Sequence, residues 1–150
     1  MYRIGGIKVV RHYETIVTTK DEYDTAYIGG IVKGFVADSG IKNGIVAVVT
    51  AHTNCGITVT EPLPCILSDL EVLLHKLVDD DAEYSHAHFL PTYGRTSANA
   101  YGHLRSILVG NHTILSLVEG KLVMGEAQEV VFMEFDGPQA RKIFVDIVGE

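Results

Sequence analysis

The sequence predicts an α+β domain, with antiparallel strands toward both ends of the chain and helices between them. Three observations carry this. Runs rich in β-branched and aromatic residues cluster near the two ends, and helical spacing dominates the middle, which argues against a wound parallel sheet. Glu119-Gly120 and Asp136-Gly137-Pro138 punctuate the later strands as turns. The 150 residues, 47% apolar and 21% charged, fit one domain with a real hydrophobic core.

Taken in order, residues 7–19 (Ile7, Val9, Val10, Tyr13, Ile16, Val17) read as one or two strands. Residues 25–38 place Ile28, Ile31, Val32, Phe35 and Val36 at helical spacing, with Gly40 as the stop. Gly29 and Gly30 are costly inside a helix and point either to close packing or to a later start. Gly44–Thr50 is a continuous apolar run, the mark of a strand buried on both faces, and it ends at Ala51-His52-Thr53-Asn54. Residues 57–60 resume as a short strand. Pro64 then opens a helix whose buried stripe is Ile66, Leu70, Leu73, Leu74 and Leu77. After the acidic run Asp79-Asp80-Asp81, residues 81–98 are loop-like. Ser97 or Asn99 caps a helix ending near Gly110, with Leu104, Ile107 and Leu108 facing inward. Strands at about 112–118, 121–125, 128–135 and 141–148 complete the chain.

Charge and composition exclude several classes. The formal net charge is −7 and the twelve Lys and Arg are scattered, so the basic stripe of a nucleic-acid binder is missing. The first residues carry no sustained apolar segment before Lys8 and Arg11, and no apolar run approaches the ~18–20 residues of a membrane span. Two cysteines, Cys55 and Cys65, are too few for a disulfide framework. A cytoplasmic protein with free thiols is expected.

Seven histidines in 150 residues direct attention to chemistry. His52 sits where the apolar strand runs out, beside Thr53, Asn54 and Gly56, which can cradle an anion. His86 and His88 share a face if their segment is extended, an arrangement that suits a metal ion but supplies only two ligands. Asn99 and His103 lie four apart on a helix and point the same way. Gln128, Asp136 and Arg141 fall in or beside the last hairpin. Cys55 lies near His52, but no third group orients such a pair as a nucleophile. No glycine-rich phosphate loop is present.

Four blocks in order resemble the YjbQ-like family, also called the secondary thiamine-phosphate synthase family. They are His52-Thr53-Asn54-Cys55-Gly56-Ile57-Thr58-Val59 followed by Glu61; Tyr84-Ser85-His86; Asn99-Ala100-Tyr101-Gly102-His103-Leu104 running to Gly110; and Gly120–Gly125 with Gln128, Glu134–Pro138 and Arg141. The likeness covers about residues 44–149 well and the amino-terminal part loosely. The chain departs from the family pattern at Gly125-Glu126-Ala127-Gln128, where a Trp is usual, and at Gln139, where an Arg is usual.

The resemblance implies antiparallel sheets packed as a sandwich with about three helices, usually as a homotrimer. It implies a pocket for a small phosphorylated molecule and a reaction that joins a pyrimidine pyrophosphate to a thiazole phosphate, releasing pyrophosphate. In that reading His52, His103 and Asn99 are catalytic, and Thr53, Arg105, Gln128, Asp136 and Arg141 bind substrate. Arg105 and Arg141 supply charge. A divalent metal, Zn or Mg, would sit on His52, His86 and His103, and no organic cofactor is implied. Two alternatives use the same residues: a metal-dependent hydrolase of a small phosphorylated or acyl compound, and a non-catalytic trimeric protein that binds a small anion.

Overall fold

The computed structural model describes residues 9–88 and 99–150, the side chains of Ala87 and His88 excepted. Its elements run β1 (Val9–Thr18), β2 (Asp24–Tyr27), α1 (Gly29–Ser39), β3 (Gly44–Thr50), β4 (Cys55–Thr60), α2 (Pro64–Leu77), α3 (Ser85–His88), α4 (Ala100–Val109), β5 (His112–Val118), β6 (Lys121–Leu122), β7 (Glu129–Glu134) and β8 (Ala140–Gly149). Ile7 and Ser97 lie outside the described residues.

Two antiparallel sheets face each other, one in the order β1-β8-β3-β5-β6 and one in the order β2-β7-β4. The α+β sandwich expected from the resemblance is present. Val46, Val48, Leu115, Leu117, Ile143, Val145 and Ile147 of the larger sheet meet Ile57, Val130 and Phe132 of the smaller one, and Ile28, Val32 and Val36 from the α1 segment join them. A second layer forms on the far side of the smaller sheet, where Leu67 and Leu74 of α2 cover Val131, Met133 and Phe135. Each large apolar side chain so buried contributes about 1.5–3 kcal/mol.

Local signals explain several boundaries. Gly40 ends α1 at φ 71°, a left-handed position that glycine occupies without steric penalty. Pro64 opens α2, where its missing N–H costs nothing. Gly29 begins α1 and donates its N–H to Glu129 Oε1 at 2.8 Å, so close packing and a later start are both correct. The later start makes room for β2, a strand that the helical spacing had concealed.

Four expectations need correction. β3 buries only Val46, Val48 and Thr50, leaving Ile45, Ala47 and Val49 on an outer face; β7 is the strand enclosed on both sides. The buried stripe of α2 is Leu67, Leu74 and the half-buried Leu70, while Ile66, Leu73 and Leu77 face outward. Helix α4 is inverted: Ala100, Gly102, Arg105 and Ser106 are buried and Leu104, Ile107 and Leu108 exposed. Small residues let this helix approach β4 closely, and the Ser106 hydroxyl donates to the Cys55 carbonyl at 2.6 Å. Finally, β7 and β8 form no hairpin. They belong to different sheets, so Asp136-Gly137-Pro138 is a corner between layers.

No helix among the described residues is long and apolar enough to cross a membrane.

Candidate functional site

The site gathers where three connections meet: the β3–β4 turn, the start of α4 and the β7–β8 corner. The Asp136 carboxylate ties them together. Its Oδ2 accepts from Asn54 Nδ2 and from Asn99 Nδ2, each at 2.7 Å. Asn99 occupies the position before α4 but makes no side-chain cap; its amide is spent on Asp136.

Behind Asp136 lies Glu134, wholly buried at the end of β7. Arg141 grips it with Nε to Oε2 at 2.6 Å and an NH2 contact to Oε1 at 2.8 Å. The backbone N–H groups of Phe135 and Asp136 also donate to Oε1, and the Thr19 hydroxyl lies 3.3 Å from Oε2. A buried carboxylate requires such a ring of donors. Motif and spacing place Glu134 in the Glu134–Pro138 block without singling it out. The available signal was a lone acid within the apolar run Val130-Val131-Phe132-Met133-Glu134-Phe135, shortly before an arginine.

His52 Nε2 accepts the backbone N–H of Lys142 at 3.1 Å. A backbone N–H can only donate, so His52 is neutral with its proton on Nδ1. Burial, followed by the Arg141 guanidinium, holds its pKa below the ordinary 6.5, with Glu134 opposing. His52 should therefore titrate below 6.5 by histidine-ring NMR. Because the native pKa is depressed, its contribution to stability is complete above pH 6.5 and is lost as pH falls through the lowered value. His52→Gln should flatten the unfolding free energy over that window; an unchanged slope would contradict the assignment.

His103 also carries a proton on Nδ1, but it spends that nitrogen where His52 spends Nε2. Its Nδ1 lies 3.1 Å from the Thr53 carbonyl, which can only accept, so Nδ1 carries a proton, and in the neutral ring the lone pair falls on Nε2. Among the described residues Nε2 has no hydrogen-bond partner. The His86 ring stands edge-on to it, with centroids 5.3 Å apart. His86 lies in the helical turn α3 rather than on an extended segment, and the side chain of His88 lies outside the described residues.

Two cavities flank His103. One, of about 460 Å³, is lined by Thr53, Tyr84, Ser85, His86, Ala100, His103 and Leu104. The other, of about 400 Å³, is bordered by the end of β3, His52, Thr53 and the carboxy-terminal half of α4.

The remaining nominated residues lie elsewhere. Arg105 is buried, donates from its guanidinium to the Val78 carbonyl and Asp80, and lies over the Tyr101 ring. Arg141 is committed to Glu134, and neither arginine lines either cavity. Gln128 closes the turn before β7, its Oε1 accepting from the Gly125 N–H. The Cys55 thiol is pushed up to about 12 by burial and then by Glu134, which removes it as a nucleophile. Cys55 is buried and Cys65 exposed, both as free thiols.

The metal triad is not assembled from His52, His86 and His103. His52 spends Nε2 on a backbone N–H, and no group of three His, Cys, Asp or Glu side chains among the described residues can hold a metal ion. His86 and His103 could furnish two nitrogens, short of the usual three protein ligands.

A family model described as UPF0047 protein YjbQ-like matches residues 13–150. The chain belongs to this family. A UPF0047 protein of Methanothermobacter thermautotrophicus is 34% identical over 148 residues, covering 99% of each chain. A YbjQ-like protein from Sulfolobus solfataricus P2 superimposes with a TM-score of 0.88 at 28% identity, covering 95% of this chain and 99% of that one. A yjbq/UPF0047 family protein from Clostridium acetobutylicum gives 0.81 at 32% identity, covering 90% and 98%. The YjbQ-like fold thus accounts for both sheets, and the Asp136 junction is built on its sheet-to-sheet corner.

Proposed function

We propose that the chain is a small-molecule enzyme of the transferase kind, joining a pyrimidine pyrophosphate to a thiazole phosphate in the manner of secondary thiamine-phosphate synthases. The observation that carries an enzymatic reading is His103. A neutral imidazole with its proton held on Nδ1, and its other nitrogen unengaged among the described residues, is equipped to accept or relay a proton. A storage pocket needs no such group. His52 contributes an Nδ1–H donor, and Asp136 orients Asn54 and Asn99 at the edge of the site.

The reaction leaves negative charge on the departing diphosphate. With Arg105 and Arg141 committed elsewhere, that charge falls to the His52 donor, to magnesium arriving with the substrate, or to groups from a neighbouring subunit. Purified protein given both precursors and Mg²⁺ should form thiamine phosphate. Product no greater than that of a His52→Ala/His103→Ala variant would sink the assignment.

We further propose that the chain works as a homotrimer. Two outward apolar surfaces support this. Ile45, Ile114 and Val118 share the outer face of the larger sheet, and Leu104, Ile107 and Leu108 share the outer face of α4. Patches of this kind are characteristic of interfaces. Light scattering should give a mass three times the 16.4 kDa of one chain. Ile114→Asp should lower it, while a single-chain mass for the unmodified protein would refute the assembly.

A further inference from the structure

The two cavities beside His103 differ in what they present. The larger is lined by Tyr84, His86, Leu104 and Ala100. Tyr84 is held in place by its hydroxyl, which donates to the Asp79 carbonyl at 2.8 Å. His86 and His103 stand at 88° to each other, the edge-to-face arrangement that aromatic groups prefer, and both line this cavity, where a flat ring can join them. Among the described residues, His52 and His103 are the only aromatic rings that line the smaller cavity. Its lining includes His52, Thr53 and Asn111, which bring an imidazole with a proton on Nδ1, a hydroxyl and an amide whose oxygen is engaged with His112. Its hydrogen-bonding groups suit a ligand rich in acceptor oxygens. Thr53 and His103 are common to both cavities.

We infer that the site is bipartite. A flat heteroaromatic group occupies the cavity between α3 and α4, an oxygen-rich group such as a phosphoryl occupies the cavity beside His52, and both ligands touch His103 at once. The inference deepens the proposed function and rests on it in one respect only, the placement of chemistry at His103. Two subsites meeting at one imidazole suit a reaction that joins two molecules; a hydrolase of one small compound needs a single subsite and a water.

The test uses benzimidazole and inorganic phosphate as probes, followed through the histidine-ring NMR signals of the full chain. Benzimidazole should move His86 and His103 but not His52. Phosphate should move His52 and His103 but not His86. Each should bind with the other present. Tyr84→Ala should weaken benzimidazole about tenfold and leave phosphate unchanged, in keeping with the loss of one stacking wall. Leu104→Ala serves the same end if Tyr84→Ala fails to fold, and His52→Gln should weaken phosphate alone.

Mutual displacement of the probes, failure of either to bind, or equal weakening of both by Tyr84→Ala would overturn the bipartite site. The outcome is separable from the precursor assay. Joint binding without thiamine phosphate would leave the two subsites standing and remove the reaction; product formation with competing probes would do the reverse.

Discussion

Arg141→Met is expected to lower the unfolding free energy by about 3–5 kcal/mol, the usual cost of leaving one member of a buried ion pair alone. The replacement keeps the length of the side chain but removes every donor. Glu134 would then stand fully buried with two backbone N–H groups, a distant threonine hydroxyl and a thiol, too few to replace its lost hydration. The damage should extend to the site. An Arg141 NH2 group reaches the Asp136 carbonyl at 3.3 Å, and Asp136 is the hub on which Asn54 and Asn99 converge. The double variant Glu134→Leu/Arg141→Met should recover much of the loss, because it removes the orphaned charge together with its partner. Urea unfolding at fixed protein concentration would measure all three, since association contributes to apparent stability. A loss below about 1 kcal/mol for Arg141→Met would show that the pair does not support the corner.

How much of this was legible beforehand depended on whether the information was local. Pro64, Gly40 and the β-branched runs mark their elements through backbone preferences that act within a few residues, and these elements are present. Burial was less legible. Ile45 and Ala47 look like core residues because they are apolar, and Leu104 and Ile107 look like the inner face of α4 for the same reason. The helix turns the other way because Gly102 and Ser106 permit a close approach that larger side chains forbid, and composition alone does not rank closeness above hydrophobicity.

The same limit governs the site. The order of His52, His86 and His103, alongside Asn99, Gln128 and Asp136, makes one shared pocket the better reading; the structure brings Asn99 to Asp136, His103 to Thr53 and His86 beside His103, and leaves Gln128 in the turn before β7. Spacing could not tell which imidazole nitrogen each histidine would spend. That depended on whether a backbone donor, Lys142 N–H, or a backbone acceptor, the Thr53 carbonyl, happened to face the ring. Nor could it reveal that Arg105 and Arg141 are consumed by Asp80 and Glu134.

Gly102→Ala is expected to destabilise the protein and to disturb His103, although alanine is the better helix former. In an unobstructed helix interior this exchange stabilises by roughly 0.5–1 kcal/mol. Gly34, exposed within α1 with nothing near its missing side chain, provides that control, and Gly34→Ala should show the gain. At Gly102 the added Cβ would lie 2.9 Å from the Phe135 carbonyl oxygen and 3.5 Å from Cβ atoms of Asn54 and Asp136. The nearest obstacle is backbone, so no rotamer change relieves it. Helix α4 must move away from the corner, at an overpacking cost of about 1–3 kcal/mol that outweighs the propensity gain. The next residue is His103, and Asn99 sits one turn before it, so the same movement lengthens the Thr53 and Asp136 contacts that set both side chains. Thermal unfolding should place Gly102→Ala below the unmodified protein and Gly34→Ala above it. The histidine-ring NMR signals should move for His103 in the first variant and not in the second. If Gly102→Ala were stabilising and left the His103 signals in place, the close approach of α4 would not be what positions this histidine.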